Sequence, residues 1–241
     1  MKLAILSDIH GNLEALKQVL ADIDRSEVIR IFCLGDIIGY GPEPDQAISL
    51  IRQRKIPTIM GNHELAVLEP QYLEWFNPNA RDSLEKTITL LSNKAIRYIG
   101  KLETSMVAFD CRFVHGFPPD SALTYLTFVT ESELNHTFEN MKEKICFLGH
   151  THTLEIINYN GNMVNRSPLQ KGIIDLCMEN QYIINIGSVG QPRDGNNTAK
   201  YVIWDTTAYT LEVRFIPYNI KKVSDKILEI GLPEVHARRL W

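Results

Sequence analysis

The sequence predicts an α/β protein in which two mixed sheets pack together with helices on the outside. Three observations predict it. The N-terminal part alternates apolar runs with helix patterns, the arrangement of βαβ units and hence of parallel strands. From Leu154 onward, strand-like runs follow one another across turn residues, which favours antiparallel pairing. A chain of 241 residues, 44% hydrophobic and 22% charged, has enough apolar surface for one large domain over 1–241.

In chain order, KLAIL is the opening strand, and Asn12 starts a helix over 12–26 whose Leu13, Leu16, Leu20 and Ile23 share one face. VIRIFC is the second strand, 44–54 a helix with Ala47, Ile48 and Ile51 on its apolar side, and IPTIM the third strand. After Gly61 the pattern turns helical, with Leu84, Ile88 and Leu91 as a stripe, and a cap-like helical insertion is expected around 66–102. SMVAF and CRFVHG read as a tight hairpin, and Thr130 with Glu133 forms a capping box that starts a helix reaching about Met141. ICFL follows as a strand. LEIINY and NGNMV turn around Asn160 and Gly161, GIIDLCM and YIINIG flank another turn, and AKYVIWD pairs with LEVRFIPY. A last helix near 221–230 is punctuated by Gly231 and Pro233.

Net charge is −4, so the chain lacks the global basic field that long nucleic acids or anionic membranes usually require. Lys221, Lys222, Lys226, Arg238 and Arg239 read as a solvated helical end. The opening apolar run breaks at Asp8, too early for a signal-peptide core, no stretch reaches membrane-spanning length, and the expected location is cytoplasmic. Cys33, Cys111, Cys146 and Cys177 lack metal-finger spacing. Cys33, Cys146 and Cys177 lie in apolar strand-like runs, and all four read as reduced core thiols.

The chemistry-bearing residues gather at the C-terminal ends of the apolar strands. MKLAIL leads into Ser7, Asp8, Ile9 and His10; VIRIFCLGD ends in Asp36; IPTIMGNHE in Asn62, His63 and Glu64; CRFVHG in His115; KICFLGHTH in His150 and His152. Five of the seven histidines fall in these blocks, where packing alone would scatter them. Ionised groups at the end of a core strand are costly unless something pairs with them. On a strand, alternate side chains share a face, so Asp8 and His10, and likewise His150 and His152, are expected to point the same way. Each pair taken singly also reads as a capped turn or a hydrogen-bonded pair, but the ordered set favours a metal site.

This set resembles the calcineurin-like metallophosphoesterases, whose signature runs Asp-x-His, Gly-Asp, Gly-Asn-His-Asp/Glu, a His often followed by Gly, and Gly-His-x-His. All five blocks are present between Asp8 and His152. GDIIGYGP and GSVGQPRDG further resemble small bacterial and archaeal phosphoesterases of that superfamily. The resemblance implies a four-layer αββα sandwich of two mixed sheets with flanking helices and two divalent ions at the strand ends. It implies that Asp8, His10, Asp36 and His152 bind one ion and Asp36, Asn62, His115 and His150 the other, with Asp36 shared. Donors without thiolate suit transition metals better than magnesium or calcium, manganese first, with iron, zinc, cobalt or nickel as alternatives. Ions roughly 3.5–4 Å apart acidify a bridging water and polarise phosphoryl oxygens for in-line attack. The matching histidine in the family faces the leaving group, and that role of proton donor or phosphate stabiliser carries over to His63. Glu64 either orients His63 or favours the start of the following helix.

The expected reaction is hydrolysis of small phosphate esters, phosphodiesters or nucleotides foremost. Ser/Thr protein phosphatases of the superfamily usually carry Gly-Asp-x-x-Asp-Arg-Gly; here the block reads Gly35-Asp36-Ile37-Ile38-Gly39-Tyr40-Gly41, without the Asp-Arg pair. Arg193, in a glycine-rich loop after a strand, offers a planar fork to phosphate or is an exposed turn residue. Tyr40, Trp75, Phe76 and Phe117 line the entrance and stack on a nucleobase, or belong to the core. His136 and His236 are expected on helix surfaces. The alternatives are a protein phosphatase, a dinucleoside polyphosphate hydrolase, and a binding module that keeps the fold without catalysis, resembling the superfamily's retromer subunit. Retention of every proposed ligand together with His63 argues against the last.

Overall fold

The structure, a computed structural model, describes residues 1–241. Its strands are β1 (Lys2–Leu6), β2 (Arg30–Cys33), β3 (Ser105–Ala108), β4 (Cys111–Val114), β5 (Ile145–Leu148), β6 (Leu154–Tyr159), β7 (Val164–Pro168), β8 (Gly172–Asp175), β9 (Gln181–Ile186), β10 (Ala199–Asp205) and β11 (Thr210–Ile216). They form a five-stranded sheet in the order β2-β1-β10-β11-β8 and a six-stranded sheet in the order β3-β4-β5-β9-β6-β7. Both are mixed: β1 runs parallel to β2 and antiparallel to β10, and β9 runs parallel to β5 and antiparallel to β6.

Period-2 alternation explains the layers. In β1, Leu3 and Ile5 enter a core between the sheets with Phe113, Phe147 and Ile184, whereas Ala4 and Leu6 enter a second core beneath α1 (Leu13–Ile23) and α2 (Pro44–Gln53). In β5, Ile145 and Phe147 face the inter-sheet core, while Cys146 and Leu148 pack against Leu134 and Phe138 of α6 (Glu131–Asn140). Strands covered on both faces read as unbroken apolar runs, and each such side chain contributes about 1.5–3 kcal/mol of burial. The result is the helix–sheet–sheet–helix sandwich. The Thr130–Glu133 capping box starts α6 as expected.

The segment after Gly61 forms α3 (Asn62–Leu68), a 3₁₀ turn over Pro70–Trp75, α4 (Pro78–Leu90) and α5 (Asn93–Ile99). Its Leu84, Ala95 and Ile99 are buried in the same core as α1 and α2, which ties it to the body of the protein. The chain closes with α7 (Ile220–Glu229) and the short α8 (Glu234–Arg238).

Two local expectations are corrected. IPTIM supplies only isolated bridges, Thr58 to Cys33 and Ile59 to Glu103, because Pro57 has no N–H for a ladder and Gly61 already begins the turn into α3. GIIDLCM and YIINIG flank a turn as expected but join different sheets: β8 lies beside β11 in one and β9 between β5 and β6 in the other. Cys177 is therefore exposed in the crossing between the sheets, whereas Cys33, Cys111 and Cys146 are buried.

Candidate metal centre

The strands stop before the polar residues. β1 ends at Leu6 and β5 at Leu148, so Asp8 and His10, and His150 and His152, sit on loops beyond the strand ends, not on the strands themselves. Each of these four, with Asp36 and Tyr40, has a positive φ, from 48° at His10 to 68° at His150. Left-handed backbone at non-glycine residues costs on the order of 1–3 kcal/mol apiece and persists only where the surroundings over-determine it. Here the loops are laced together. The N–H of Asp8 donates to the Gly35 carbonyl (3.1 Å), that of His10 to the Asp36 carbonyl (2.9 Å), and that of Gly190 to the Asp8 carbonyl (2.9 Å). The His63 N–H donates to Asp36 Oδ1 (3.0 Å) and the His150 N–H to Asp8 Oδ2 (3.1 Å). A Cβ at Gly61 would strike the Asp36 carboxylate, and one at Gly149 would strike Ser7 and the Asp8 carboxylate. These two positions require glycine for close approach rather than for a turn.

The side chains then converge. The ligand atoms of Asp8, His10, Asp36 and His152 lie within 4.8 Å of one another, and so do those of Asp36, His115 and His150. Asp36 Oδ2 is 3.3 Å from His115 Nε2 and 3.7 Å from His10 Nε2, so one carboxylate oxygen faces both groups. The Asn62 amide reaches the second group, 3.1 Å from His115 Nε2. The proton positions follow from the partners. Nδ1–H donates to a carbonyl in His10 (Ile38, 2.9 Å), His115 (Leu34, 2.8 Å) and His152 (Gln191, 2.6 Å), which turns the Nε2 of each ring inward. His150 Nε2 faces the Leu123 carbonyl at 3.3 Å, which frees its Nδ1.

Electron pairs are thus aimed at one another. His10 Nε2 and His152 Nε2 are 2.9 Å apart, and the buried Asp8 Oδ1 has no hydrogen-bond partner. Such convergence is costly unless a cation lies among the donors. The residues fit divalent metal. The same crowding acts on their protonation: burial works against charge on His115, but the Asp36 carboxylate overrides it and lifts the ring to about 9. Burial pushes His150 down to about 3 and, helped by Arg193, His152 to about 4.

Residues 1–208 match the family model of the calcineurin-like phosphoesterase superfamily domain. The chain belongs to that superfamily. An uncharacterized protein of Methanocaldococcus jannaschii is 34% identical over 243 residues, covering 99% of this chain and 97% of its own. A metallophosphoesterase from Sphaerobacter thermophilus has a TM-score of 0.84 at 33% identity and covers 100% of this chain and 98% of that one. A hypothetical protein from Pyrococcus horikoshii reaches 0.82 at 18% identity over 100% and 97% of the two chains, a likeness of fold. A zinc-dependent endopolyphosphatase of Saccharomyces cerevisiae is 32% identical over 78 residues, 29% of this chain and 24% of that protein. The family and the Sphaerobacter structure are phosphoesterases, which supports a hydrolase.

Around the cluster, His63 Nε2 is 3.9 Å from Asp36 Oδ2 and its buried Nδ1 is unpartnered; burial holds the ring well below its usual range. Glu64 does not touch His63 by hydrogen bond. Its buried carboxylate accepts from the N–H groups of Asp36 (2.7 Å), Ile37 (2.8 Å), Ile38 (3.2 Å) and Gly61 (3.0 Å), clamping the loop that presents Asp36 and capping α3 in the same act. Tyr40 packs its ring 4.6 Å from that of His10 and 4.7 Å from that of His63, with the Arg193 guanidinium 5.8 Å from its centroid. Phe76 meets His63 edge-on at 4.9 Å, and the exposed Trp75 lines a recess of about 320 Å³ with Phe76, Tyr125 and His150. Phe117 goes to the α6 core instead.

His236 corrects a further expectation. It is buried, donates from Nε2 to the Asn79 carbonyl (3.1 Å), and lays its ring 4.6 Å from Tyr40. Tyr125, stacked on His150 at 3.7 Å, carried no signal in the sequence, because nothing in LTYLTF distinguishes it from a core aromatic. No helix is long and apolar enough to cross a membrane.

Proposed function

We propose that this chain is a binuclear, metal-dependent phosphoesterase that hydrolyses small phosphate esters, phosphodiesters or nucleotides foremost. The observation that carries the reading is the single Asp36 oxygen facing both donor groups. Asp8, His10, Asp36 and His152 would hold one divalent ion, and Asp36, Asn62, His115 and His150 the other. Manganese is the first candidate; the name of the yeast relative keeps zinc beside it, ahead of iron, cobalt and nickel. When bound, such ions polarise a phosphoryl group and acidify water for in-line attack.

The chain's own residues supply the rest. Asp8 and Asp36 bring two negative charges against four positive, so a phosphate is drawn to a net cationic centre. His63, beside Asp36, would donate a hydrogen bond or proton toward the leaving group. Tyr40 walls the cluster, Arg193 offers its fork to phosphate, and the segment 66–102 caps the site with Trp75 and Phe76. The missing Asp-Arg pair after Asp36 argues against a dedicated protein phosphatase. The buried thiols of Cys33, Cys111 and Cys146 suit a reducing, cytoplasmic setting, with a small-molecule substrate and no long nucleic acid or membrane partner. The test is a panel of monoester, diester, nucleotide and phosphopeptide substrates assayed with Mn²⁺ and again after chelation. Chelation should abolish turnover, and a higher kcat/KM for phosphopeptides would overturn the substrate assignment.

A further inference from the structure

A recess of about 560 Å³ adjoins the smaller one that Asn62 and His150 line, sharing Tyr40, Asn77 and Tyr125 with it. Arg193, Arg239 and Trp241 also line it, with Pro192 and the 195–197 stretch of the Arg193 loop. The two guanidiniums arrive from distant parts of the chain. Arg193 lies on the loop after β9, its N–H donating to the His152 carbonyl (3.1 Å) and its side chain to Gln191 Oε1 (3.0 Å). That loop is pinned by the ion pair of the buried Lys200 with Asp194 (2.7 Å). Arg239 caps α8, which is anchored by Ala237 and Leu240 against Val223 and Ile227 and by His236 against Tyr40 and Asn79.

Other cations of this C-terminal region have carboxylate partners: Arg238 with Glu234 (2.7 Å), Lys226 with Glu43 (2.8 Å), Lys222 with Glu14 (2.7 Å) and Lys221 with Asp225 (2.7 Å). A separate surface depression has Arg54 paired with Asp24 and mixes carboxylates, Asp24 and Glu27, with its remaining cations, Arg30 and Lys55. Arg193 and Arg239 have no such partner. Burial and the neighbouring Arg193 both depress Arg239, a sign of two like charges facing one cavity. Two planar guanidiniums without carboxylate partners, lining one recess, match the bidentate geometry of a phosphoryl group.

We propose that Arg193 and Arg239 form a second anion site that holds a phosphoryl group other than the one attacked, so that phosphoanhydrides, nucleoside diphosphates among them, are preferred over isolated esters. This rests on the phosphoesterase reading above. Only the ring of Tyr40 separates the guanidinium of Arg193 from His10, which suits neighbouring phosphoryl groups of one chain; Tyr125 and Trp241 offer faces to a nucleoside. In the reaction the oxygen of water forms the new P–O bond and the bridging P–O bond breaks. The leaving phosphate keeps the bonding electron pair, and the protons of water pass to the products and solvent.

Calorimetry of the manganese-loaded, full-length protein with the α,β-methylene analogue of ADP tests the site directly. Arg239→Ala should weaken Kd about 10- to 100-fold, the range for a charge-assisted hydrogen bond, with Arg239→Lys in between. In turnover, the loss of kcat/KM on ADP should exceed that on bis(p-nitrophenyl) phosphate by about tenfold or more, chiefly through KM. A Kd unmoved by Arg239→Ala, or equal losses on both substrates, overturns the anion site. Wild-type protein that hydrolyses neither substrate while its binding still depends on Arg239 overturns the phosphoesterase reading and leaves the anion site standing.

Discussion

At the floor of the site, His10, His115 and His152 are at most 2% exposed and each ring is fixed by a backbone carbonyl; at the rim, Trp75 and Trp241 stand 71% and 67% exposed. The floor is made of loops that immediately follow core strands and are stitched to one another by main-chain hydrogen bonds. The rim is made of the turn after α3, the Tyr125 region, the 191–197 loop and α8. Floor geometry is set to fractions of an ångström by dense packing and strained backbone, as metal ligation demands. Rim side chains are held at their bases and free at their tips, as contact with varied substrate groups permits. On the function proposed above, the difference would place reaction class and substrate choice in separate parts of this molecule.

The comparison breaks first at Asp36. Asp36→Asn keeps the shape but removes the charge shared by both donor groups. Metal content by elemental analysis should fall below two ions per chain and turnover by more than about 10³-fold, beyond the loss from one preorganised donor elsewhere. Retention of two ions would detach the metal centre from this carboxylate. His63→Ala should leave both ions bound and slow poor leaving groups by about 10²–10⁴-fold, with activated nitrophenolate esters slowed less. Loss of metal in that variant would make His63 a part of the cradle instead.

Glu64→Gln probes how the floor is held. The amide would turn a donor toward backbone N–H groups that now share two acceptor oxygens. Metal affinity should drop about 10- to 100-fold, as when an outer support of a ligand is removed, and the apo protein should lose about 1–3 kcal/mol of stability. Unchanged metal affinity by competitive titration would reduce Glu64 to a helix cap.

The smallest effect is expected away from both regions, where charges are already satisfied. Asp22 accepts from Tyr201 Oη (2.6 Å) and Arg214 (3.0 Å). Burial raises its pKa, but these two donors more than offset it, and the net shift is downward. A depressed carboxylate contributes stability above its unfolded pKa of about 3.9, and the contribution is lost as pH falls through the lower folded value. Asp22→Asn should therefore cost about 1 kcal/mol or less at pH 7, given solvent screening, and the gap between the two melting curves should close below about pH 4. A gap that widened in acid would reverse the sign of the shift.

Much of the floor was legible before any fold was known. Apolar runs ending in Asp8, Asp36, His115 and His150 marked the strand ends, and the helix stripes of Leu13, Leu16 and Leu20 marked an outer layer, because period and residue type are local properties. The left-handed turns that aim Asp8 and His10 were not legible, since period-2 reasoning assumes the strand continues past Leu6. Of the two roles the sequence offers Glu64, the helix start holds through its bond from Gly61, whereas its other three hydrogen bonds go to residues 26–28 positions earlier, which no neighbour signals.

By itself, then, the sequence determined the donor types, their order along the chain and the layers that would carry them. Tertiary structure alone decided which sheet takes β8, that His236 is buried beneath Tyr40, and that Arg239, out of a run of basic residues, faces the cavity. The physical reason is distance along the chain. His236 and Gln191 are 45 positions apart and His236 and Asn79 are 157 apart, and contacts of that span depend on how finished layers pack, which no local pattern encodes.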